Sequence, residues 1–312
     1  MSHRERRRDI YFGIEMSKAA IQRLSEKDPW VSSAKVAAYL LVVGVFVAVY
    51  CVSDSSWLRA LAVIALGISY AHGVELQHEA LHGNLFGRPA LDRTVGVLTG
   101  APMLVSFTQY RAYHLHHHRC VGTGKDEELF DYTPQSLSNP LSTFLRVWNL
   151  VKLPAFLATF LRMLQGEYPD KVKPADRRAL LAEYTALFAI LSLAIGSAVL
   201  LGDSTLLMLW VVPWLAVAEP VHFMVEVPEH IGCNRSTRSI LENTRSYPAH
   251  PLWAYLTNFN NFHIEHHLFP TVPAHRLGVL HAEIRRAQGH CSEGYWHALG
   301  EVYSTVRRDR EA

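Results

Sequence analysis

Three groups of closely spaced histidines are the part of this sequence best suited to chemistry. The first has HxxxH spacing, and the other two each contain HxxHH spacing. On a helix, residues three and four apart lie on one face, so the histidines of each group project the same way. Histidine is also the commonest metal ligand in proteins. The spacing therefore selects eight candidate metal ligands: His78, His82, His114, His117, His118, His263, His266 and His267.

Two further histidines lie near these groups but do not fit their spacing. His116 is two residues from His114, and His72 is six residues before His78. Both separations rotate the side chain away from the face that carries the candidate ligands. We therefore predict that His116 and His72 do not bind the metal.

The number of imidazoles favours two metal ions. Zinc sites are usually satisfied by three or four protein ligands. Imidazole also suits iron, and two ions that each keep an open position fit the count. A pair of iron ions that activates O2 is the sharper hypothesis, and a dizinc site without redox chemistry is the alternative. A non-enzymatic metal-binding or transport protein is a third possibility, but a transporter is expected to hold its ligands at mid-membrane.

Four apolar segments are long enough to cross a bilayer, which takes roughly 20 residues for about 30 Å of hydrocarbon. Residues 53–56 join the first two, and residues 202–204 join the last two, without lysine or arginine. The sequence therefore predicts an all-α integral membrane protein with four transmembrane helices in two hairpins. The predicted spans are residues 34–52, 57–74, 180–201 and 205–225.

The remaining residues, 75–179 and 226–312, are predicted to form a histidine-rich cytosolic cap, and residues 1–312 a single domain. Lysine and arginine crowd these loops and both termini, so the positive-inside rule places the termini and the active site on the cytoplasmic side. Residues 144–164 predict an amphipathic helix in the membrane interface, broken near Pro154. The net charge of +2 gives no reason to expect a nucleic acid partner.

The second span runs into the first histidine group with no strong helix breaker except Gly73. One continuous helix is therefore expected to carry His78 and His82 beyond the membrane surface. The three groups would then converge in the cap, beyond the ends of the spans rather than within them. This placement argues against a transporter.

The segments QHEALHG, YHLHHHRCVGTGKDEELFDY and NFNNFHIEHHLFPTVP occur in this order over roughly residues 69–280. They resemble the three histidine boxes of the membrane fatty acid desaturase and hydroxylase superfamily. The resemblance implies four transmembrane helices beneath a cytosolic cap. It also implies two iron ions held almost entirely by the eight box histidines, with O2 as co-substrate.

The resemblance also implies one further ligand between the second and third boxes. The Pro-Glu-His sequence at residues 228–230 nominates His230, and His222 is the second choice. Residues 126–128 are expected to orient histidine rings or to dock a basic surface of an electron donor, and a plain acidic loop is the alternative. Other side chains are expected to orient ligands or replace one: Glu219, Glu226 and Glu229, with Asn258, Asn260 and Asn261 as weaker candidates that could equally be solvated loop side chains.

The expected reaction is the introduction of a double bond into a lipid or fatty acyl chain. Hydroxylation of the chain is the alternative, because the box spacing does not separate the two reactions. No catalytic residue beyond the metal ligands is expected. The sequence has neither a haem-binding His-Pro-Gly-Gly motif nor CxxC spacing. The electrons are therefore expected to come from a separate protein, a ferredoxin or a cytochrome with its reductase.

Overall fold

A computed structural model describes residues 8–11, 14–284 and 291–311 of the chain. It begins with an antiparallel hairpin of strands β1 (Arg8–Tyr11) and β2 (Ile14–Ser17), which the sequence did not predict. The other regular elements in these ranges are helical. The helices are α1 (Lys18–Leu24), α2 (Pro29–Val52), α3 (Ser56–Leu81), α4 (Pro89–Gly100), α5 (Phe107–Cys120), α6 (Pro140–Val147), α7 (Lys152–Leu164), α8 (Arg177–Leu201), α9 (Glu219–His230), α10 (Ile240–Asn243), α11 (Pro251–Leu256), α12 (His263–Leu268), α13 (Ala274–Ile284) and α14 (Tyr295–Glu311).

Within those residues, four helical stretches are long and apolar enough to cross a membrane, which confirms the predicted spans. Two π-helical turns, Leu207–Val211 and Trp214–Ala218, precede α9 in the last of them. Gly202, with φ of 67°, ends α8 in the left-handed conformation that commonly closes helices. The second and fourth spans extend beyond their predicted ends, so they carry residues of the histidine region. The four stretches are Lys18–Val52, Ser56–Leu81, Pro174–Leu201 and Leu207–His230.

Helix α3 changes character along its length. Trp57 and Leu58 near its start are exposed apolar side chains, as expected for a surface that faces lipid. From Ser69 to its last residue, Leu81, every side chain is buried, because α3 packs against α2, α4 and the fourth span. His82 caps its C-terminus. The prediction that one continuous helix leads into the first histidine group is therefore confirmed.

Two glycines on α3 allow neighbouring backbones to come close. A Cβ atom at Gly73 would lie 2.5 Å from the carbonyl oxygen of Thr99 on α4, so Gly73 is a contact point and not a helix break. A Cβ atom at Gly67 would lie 2.4 Å from the Cβ of Val217 and 2.7 Å from the carbonyl oxygen of Pro213. Small residues at such crossings let membrane helices pack closely. The second and fourth spans therefore meet at Gly67.

The predicted interfacial segment forms two helices, α6 and α7, that bend by 65° between them. The break includes Asn149, whose φ of 44° is left-handed. The break therefore lies before Pro154, whereas the sequence predicted it near that residue. Pro154 lies in the first turn of α7, where proline is tolerated because its missing N–H has no helical partner there.

Replacing Gly67 with alanine is expected to destabilise the protein by about 1–3 kcal/mol, because the added methyl overpacks the crossing of the second and fourth spans. Thermal unfolding of the detergent-solubilised protein measures this change. Gly44→Ala on α2 is the matched control, since a Cβ atom there meets no atom within 4 Å. Equal unfolding temperatures for the two variants would contradict the close approach at Gly67.

Candidate metal centre

Five imidazoles from three helices form the first cluster. His78 and His82 come from the end of α3, His114 and His118 from α5, and His266 from α12; one ring nitrogen of each lies within 4.8 Å of all the others. The Nε2 atom of His114 is 2.8 Å from that of His78 and 3.0 Å from that of His82. The Nε2 atoms of His118 and His266 are 3.0 Å apart. Residues from all three boxes therefore meet at one buried point.

The second cluster contains four imidazoles and one carboxylate. The Nε2 atom of His230 lies 3.2 Å from those of both His117 and His263. The Nε2 atoms of His263 and His267 are 3.1 Å apart, and Glu229 Oε2 is 3.2 Å from His263 Nε2. His230, at the end of the fourth span, is thus the further histidine that joins the box residues.

Each HxxHH sequence contributes to both clusters. On α5, His114 and His118 are four residues apart and share the first cluster, whereas His117 turns to the second. On α12, His263 and His267 share the second cluster, whereas His266 turns to the first. Successive helical residues differ by about 100° in direction, so residues four apart point in more nearly the same direction than residues three apart. In each box, the two histidines four residues apart therefore share a cluster, and the third histidine joins the other cluster. Spacing alone predicted one shared face for each box, and the structure shows one box serving two adjoining points.

The donor atoms fit a pair of metal ions. A neutral imidazole has one N–H and one lone pair, so several converging nitrogens cannot all be satisfied by hydrogen bonds to each other. Metal–nitrogen bonds of about 2.0–2.1 Å place neighbouring ligands roughly 3 Å apart, which is the separation seen in both clusters. Burial also lowers the pKa of His118 and His267 well below the usual range, favouring the neutral form that binds metals. These two rings stack with centroids 4.2 Å apart, so the clusters adjoin.

Two carboxylates of the loop after α5 orient rings of the second box. Glu128 accepts a hydrogen bond of 2.9 Å from Nδ1 of His114, and Asp126 accepts one of 2.8 Å from Nδ1 of His117. Burial raises the pKa of Glu128 to about 7. Glu127 between them is half exposed and pairs with a lysine instead. Such outer contacts fix the tautomer and direction of a ligating ring.

Asn260, not Asn261, contacts the histidines of the third box. Asn260 Oδ1 lies 2.9 Å from Nδ1 of His263. Asn261 instead donates to the backbone of Tyr247 at 2.8 Å, and in the described part of the chain it has no hydrogen bond to a histidine. Asn258 and Phe259 have φ values of 46° and 63°, and this tight turn directs the residue after it towards the cluster. The expectation for Asn261 was therefore wrong.

Glu219 also has a different role from the expected one. Its carboxylate pairs with Lys152 at 2.6 Å and accepts a hydrogen bond of 2.6 Å from Trp214. It lies eleven residues before His230, about 16 Å along a helix. Glu219 therefore joins α7 to the fourth span, and no ligating ring among the described residues contacts it.

The remaining histidines lie outside the two clusters. His116 Nε2 lies 2.7 Å from the carbonyl oxygen of Lys125, and His72 Nδ1 lies 2.9 Å from that of Leu256. Neither contributes to a cluster. His222 is two helical turns before His230 and lies in a separate group with Glu226, so the geometry favours His230 as the further ligand.

The sequence did not predict the supporting role of one side chain, Glu265. Glu265 is fully buried beside His266, accepts a hydrogen bond of 2.6 Å from Ser246 and contacts Nδ1 of His281 at 2.7 Å. Its position between the histidines of the HxxHH sequence in the third box was the feature that could have indicated this role. Because Glu265 contacts residues from outside α12, it fixes the orientation of this short helix.

A bundle of membrane-spanning helices that brings nine imidazoles into two adjoining buried clusters defines a histidine-rich membrane protein with side chains that could hold metal ions. The sequence matches the fatty acid desaturase family over residues 55–298, a range that contains every histidine of both clusters. The chain belongs to this family, and it is an oxidoreductase with a desaturase-like function.

Curated relatives agree with this assignment. The dihydrorhizobitoxine desaturase of Bradyrhizobium elkanii is 25% identical over 84% of this chain and 78% of its own length. The chloroplastic omega-3 fatty acid desaturase of Glycine max is 22% identical over 91% of this chain and 68% of its own length. The temperature-sensitive sn-2 acyl-lipid omega-3 desaturase (ferredoxin) of Arabidopsis thaliana is 22% identical, covering 80% of this chain and 62% of its own length.

Replacing Glu128 with glutamine is expected to weaken metal binding about 10–100-fold, because His114 loses the carboxylate that orients its ring. Competition with a chelator, followed by metal analysis, measures the affinity. Glu127→Gln is the matched control, since Glu127 faces away from the rings. If both variants retain metal equally, the carboxylate of Glu128 has no orienting role.

The contact between His281 and Glu265 predicts a dependence of stability on pH. Burial opposes the charge of His281, but hydrogen bonds to Cys291 and Glu265 raise its pKa to about 9. A raised pKa stabilises the fold at low pH, and this contribution disappears as the pH rises through about 9. We expect His281→Gln to cost about 1–2 kcal/mol at pH 6 and little at pH 10. A difference between wild type and variant that does not change with pH would contradict this pairing.

Proposed function

We propose that the protein is an O2-dependent diiron enzyme that introduces a double bond into a lipid or fatty acyl chain. The observation that carries the proposal is the pair of adjoining clusters of buried Nε2 atoms, built from all three boxes. Imidazole ligands that leave positions open suit iron that reacts with O2. Iron bound here would activate O2, the oxidant for an unactivated C–H bond, with electrons from a separate donor.

The proposed ligands follow from the two clusters. Each ion has ligands from both the second and the third box, so α5 and α12 must meet to complete either set. Glu229 is a further oxygen donor beside the second ion. We propose His78, His82, His114, His118 and His266 for one iron, and His117, His230, His263 and His267 for the other.

A small cavity opens onto the clusters and suits a substrate carbon. Tyr110, Phe130, Tyr132 and Ile231 line it together with histidines of both clusters. Charged side chains such as Glu128, Asp131 and Arg235 also line it, so we propose that its aromatic and aliphatic side chains restrict the position of a chain beside the ring nitrogens. In this proposal the protein's task is to hold one C–H bond of the substrate in place.

The electron donor is proposed to be a separate protein. The name of the Arabidopsis thaliana relative includes ferredoxin, which makes a ferredoxin the first choice and a cytochrome the alternative. A groove that begins at His82 is rich in basic side chains, and this charge suits an acidic donor. The basic residues that line it are Arg93, Arg111, Arg119, Lys171 and Lys173.

We further propose that both termini and the metal centre face the cytoplasm, and that the whole chain forms one domain. The distribution of lysine and arginine between the spans supports this orientation. The two histidine-rich regions, residues 75–179 and 226–312, would then form a cap on that side.

The activity is tested by expressing the protein with a ferredoxin and its reductase and analysing the cellular lipids by mass spectrometry. Loss of two hydrogen atoms from an acyl chain indicates desaturation, and gain of one oxygen atom indicates hydroxylation. Purified protein is expected to contain about two iron ions per chain. Fully active protein without iron would overturn the diiron proposal.

The variant His266→Ala is expected to abolish oxidation, because it removes a ligand of the first cluster, while membrane insertion is unchanged. His116→Ala is the matched control, since this ring lies beside the cluster without joining it. Lipid products and membrane content are measured for both. Retained turnover in His266→Ala would refute its role as a ligand.

A further inference from the structure

A third group of metal-binding side chains lies outside the two histidine clusters. It contains Glu75 of α3 together with His222 and Glu226 of α9, and their donor atoms lie within 4.8 Å of one another. His222 Nε2 is 3.3 Å from Glu226 Oε1 and 3.6 Å from Glu75 Oε1. Glu75 and His222 are only 2% and 1% exposed. Two carboxylates and an imidazole therefore converge in the interior of the bundle.

Three polar atoms of this group have no hydrogen-bond partner. Both ring nitrogens of His222 and the Oε2 atom of Glu75 are buried without a hydrogen-bond partner. Buried polar side chains nearly always have one, so each orphan atom indicates a missing ligand or ion. The contacts of His222 with the two carboxylates are close but lack hydrogen-bond geometry. The arrangement of the imidazole and the two carboxylates suits three ligands around a central cation.

The charge of the group also requires a cation. In the part of the chain that the structure describes, no lysine or arginine lies within 4.0 Å of Glu75 or Glu226. Lys152, which lies over the Phe130 ring, is already paired with Glu219 at 2.6 Å. Glu226 has a hydrogen bond to Glu229, but this contact brings a further acid and no positive charge. Buried carboxylates without a neighbouring positive charge are costly. A divalent cation would neutralise both Glu75 and Glu226.

The distances match those of metal ligands. Bonds of about 2.0–2.2 Å to a divalent metal place neighbouring ligand atoms roughly 3.0–3.6 Å apart. The spacing of His222 and Glu226, four residues apart on α9, directs both side chains to the same point. Glu75 on α3 completes the set from the facing span.

We propose that Glu75, His222 and Glu226 bind a third divalent metal ion that joins the second span to the fourth. Glu75 is one helical turn before His78, and Glu226 is one turn before His230. An ion between them fixes the separation of two helices that each supply a ligand to a different cluster. Its role is structural positioning, and it takes part in no redox step.

The test uses the full-length protein, purified in detergent and loaded with iron, then titrated with Co2+ as the probe. Wild type is expected to bind one additional ion per chain beyond its iron, and the visible spectrum of Co2+ reports its ligands. His222→Gln and Glu75→Gln are expected to weaken this binding at least 10-fold while the iron content is unchanged. His72→Gln is the matched control, because His72 is equally buried on α3 but bonds only a backbone carbonyl.

Two results would overturn the proposal: no ion bound beyond the iron in wild type, or unchanged Co2+ affinity in His222→Gln. X-ray absorption at the cobalt edge on wild type provides a second measurement that does not depend on how the variants fold. A shell with one imidazole and carboxylate oxygens supports the site. A shell of imidazoles alone places Co2+ in the histidine clusters and refutes it.

Discussion

The need to hold nine imidazoles close together in a buried space is the constraint on which the structure depends. Each added ring withdraws polar nitrogens from water, and any charge on one ring would repel charge on the next. The pKa of His114 is lowered well below the usual range by burial first, and then by His78 and its other neighbours. The clusters therefore persist only where the surrounding packing keeps the rings in place.

The fold meets this constraint with helices whose ends converge. Helix α3 provides the first box at its buried end, and the fourth span provides His230 at its own end. Helices α5 and α12 carry the remaining rings. Glu128 contacts the ring of His114 from outside the cluster, and Glu265 holds α12 itself through Ser246. Rigid elements supply the positions, and hydrogen bonds to Nδ1 atoms set the ring directions.

Local spacing predicted much of this arrangement. The apolar segments gave the four spans, and the histidine intervals selected the eight box residues and set His116 aside. Spacing did not predict how the HxxHH boxes divide between two clusters, because that division depends on where the other helices lie. The pairing of Glu219 with Lys152 depends on the fold of a distant helix. The choice between Asn260 and Asn261 depends on a turn with left-handed backbone at the two preceding residues.

The division of each HxxHH box between clusters has a consequence for how the protein is made. A chain emerging from the ribosome folds from its N-terminus. The first cluster lacks His266 until the third box has been translated, and the second cluster lacks His263 and His267 until the same moment. Neither set of ligands can close early, so both spanning hairpins are inserted before either cluster is complete. Any metal binding that needs a complete set of ligands is thereby delayed to the last part of synthesis. A chain that stops before residue 263 has two incomplete clusters rather than one intact cluster and one missing.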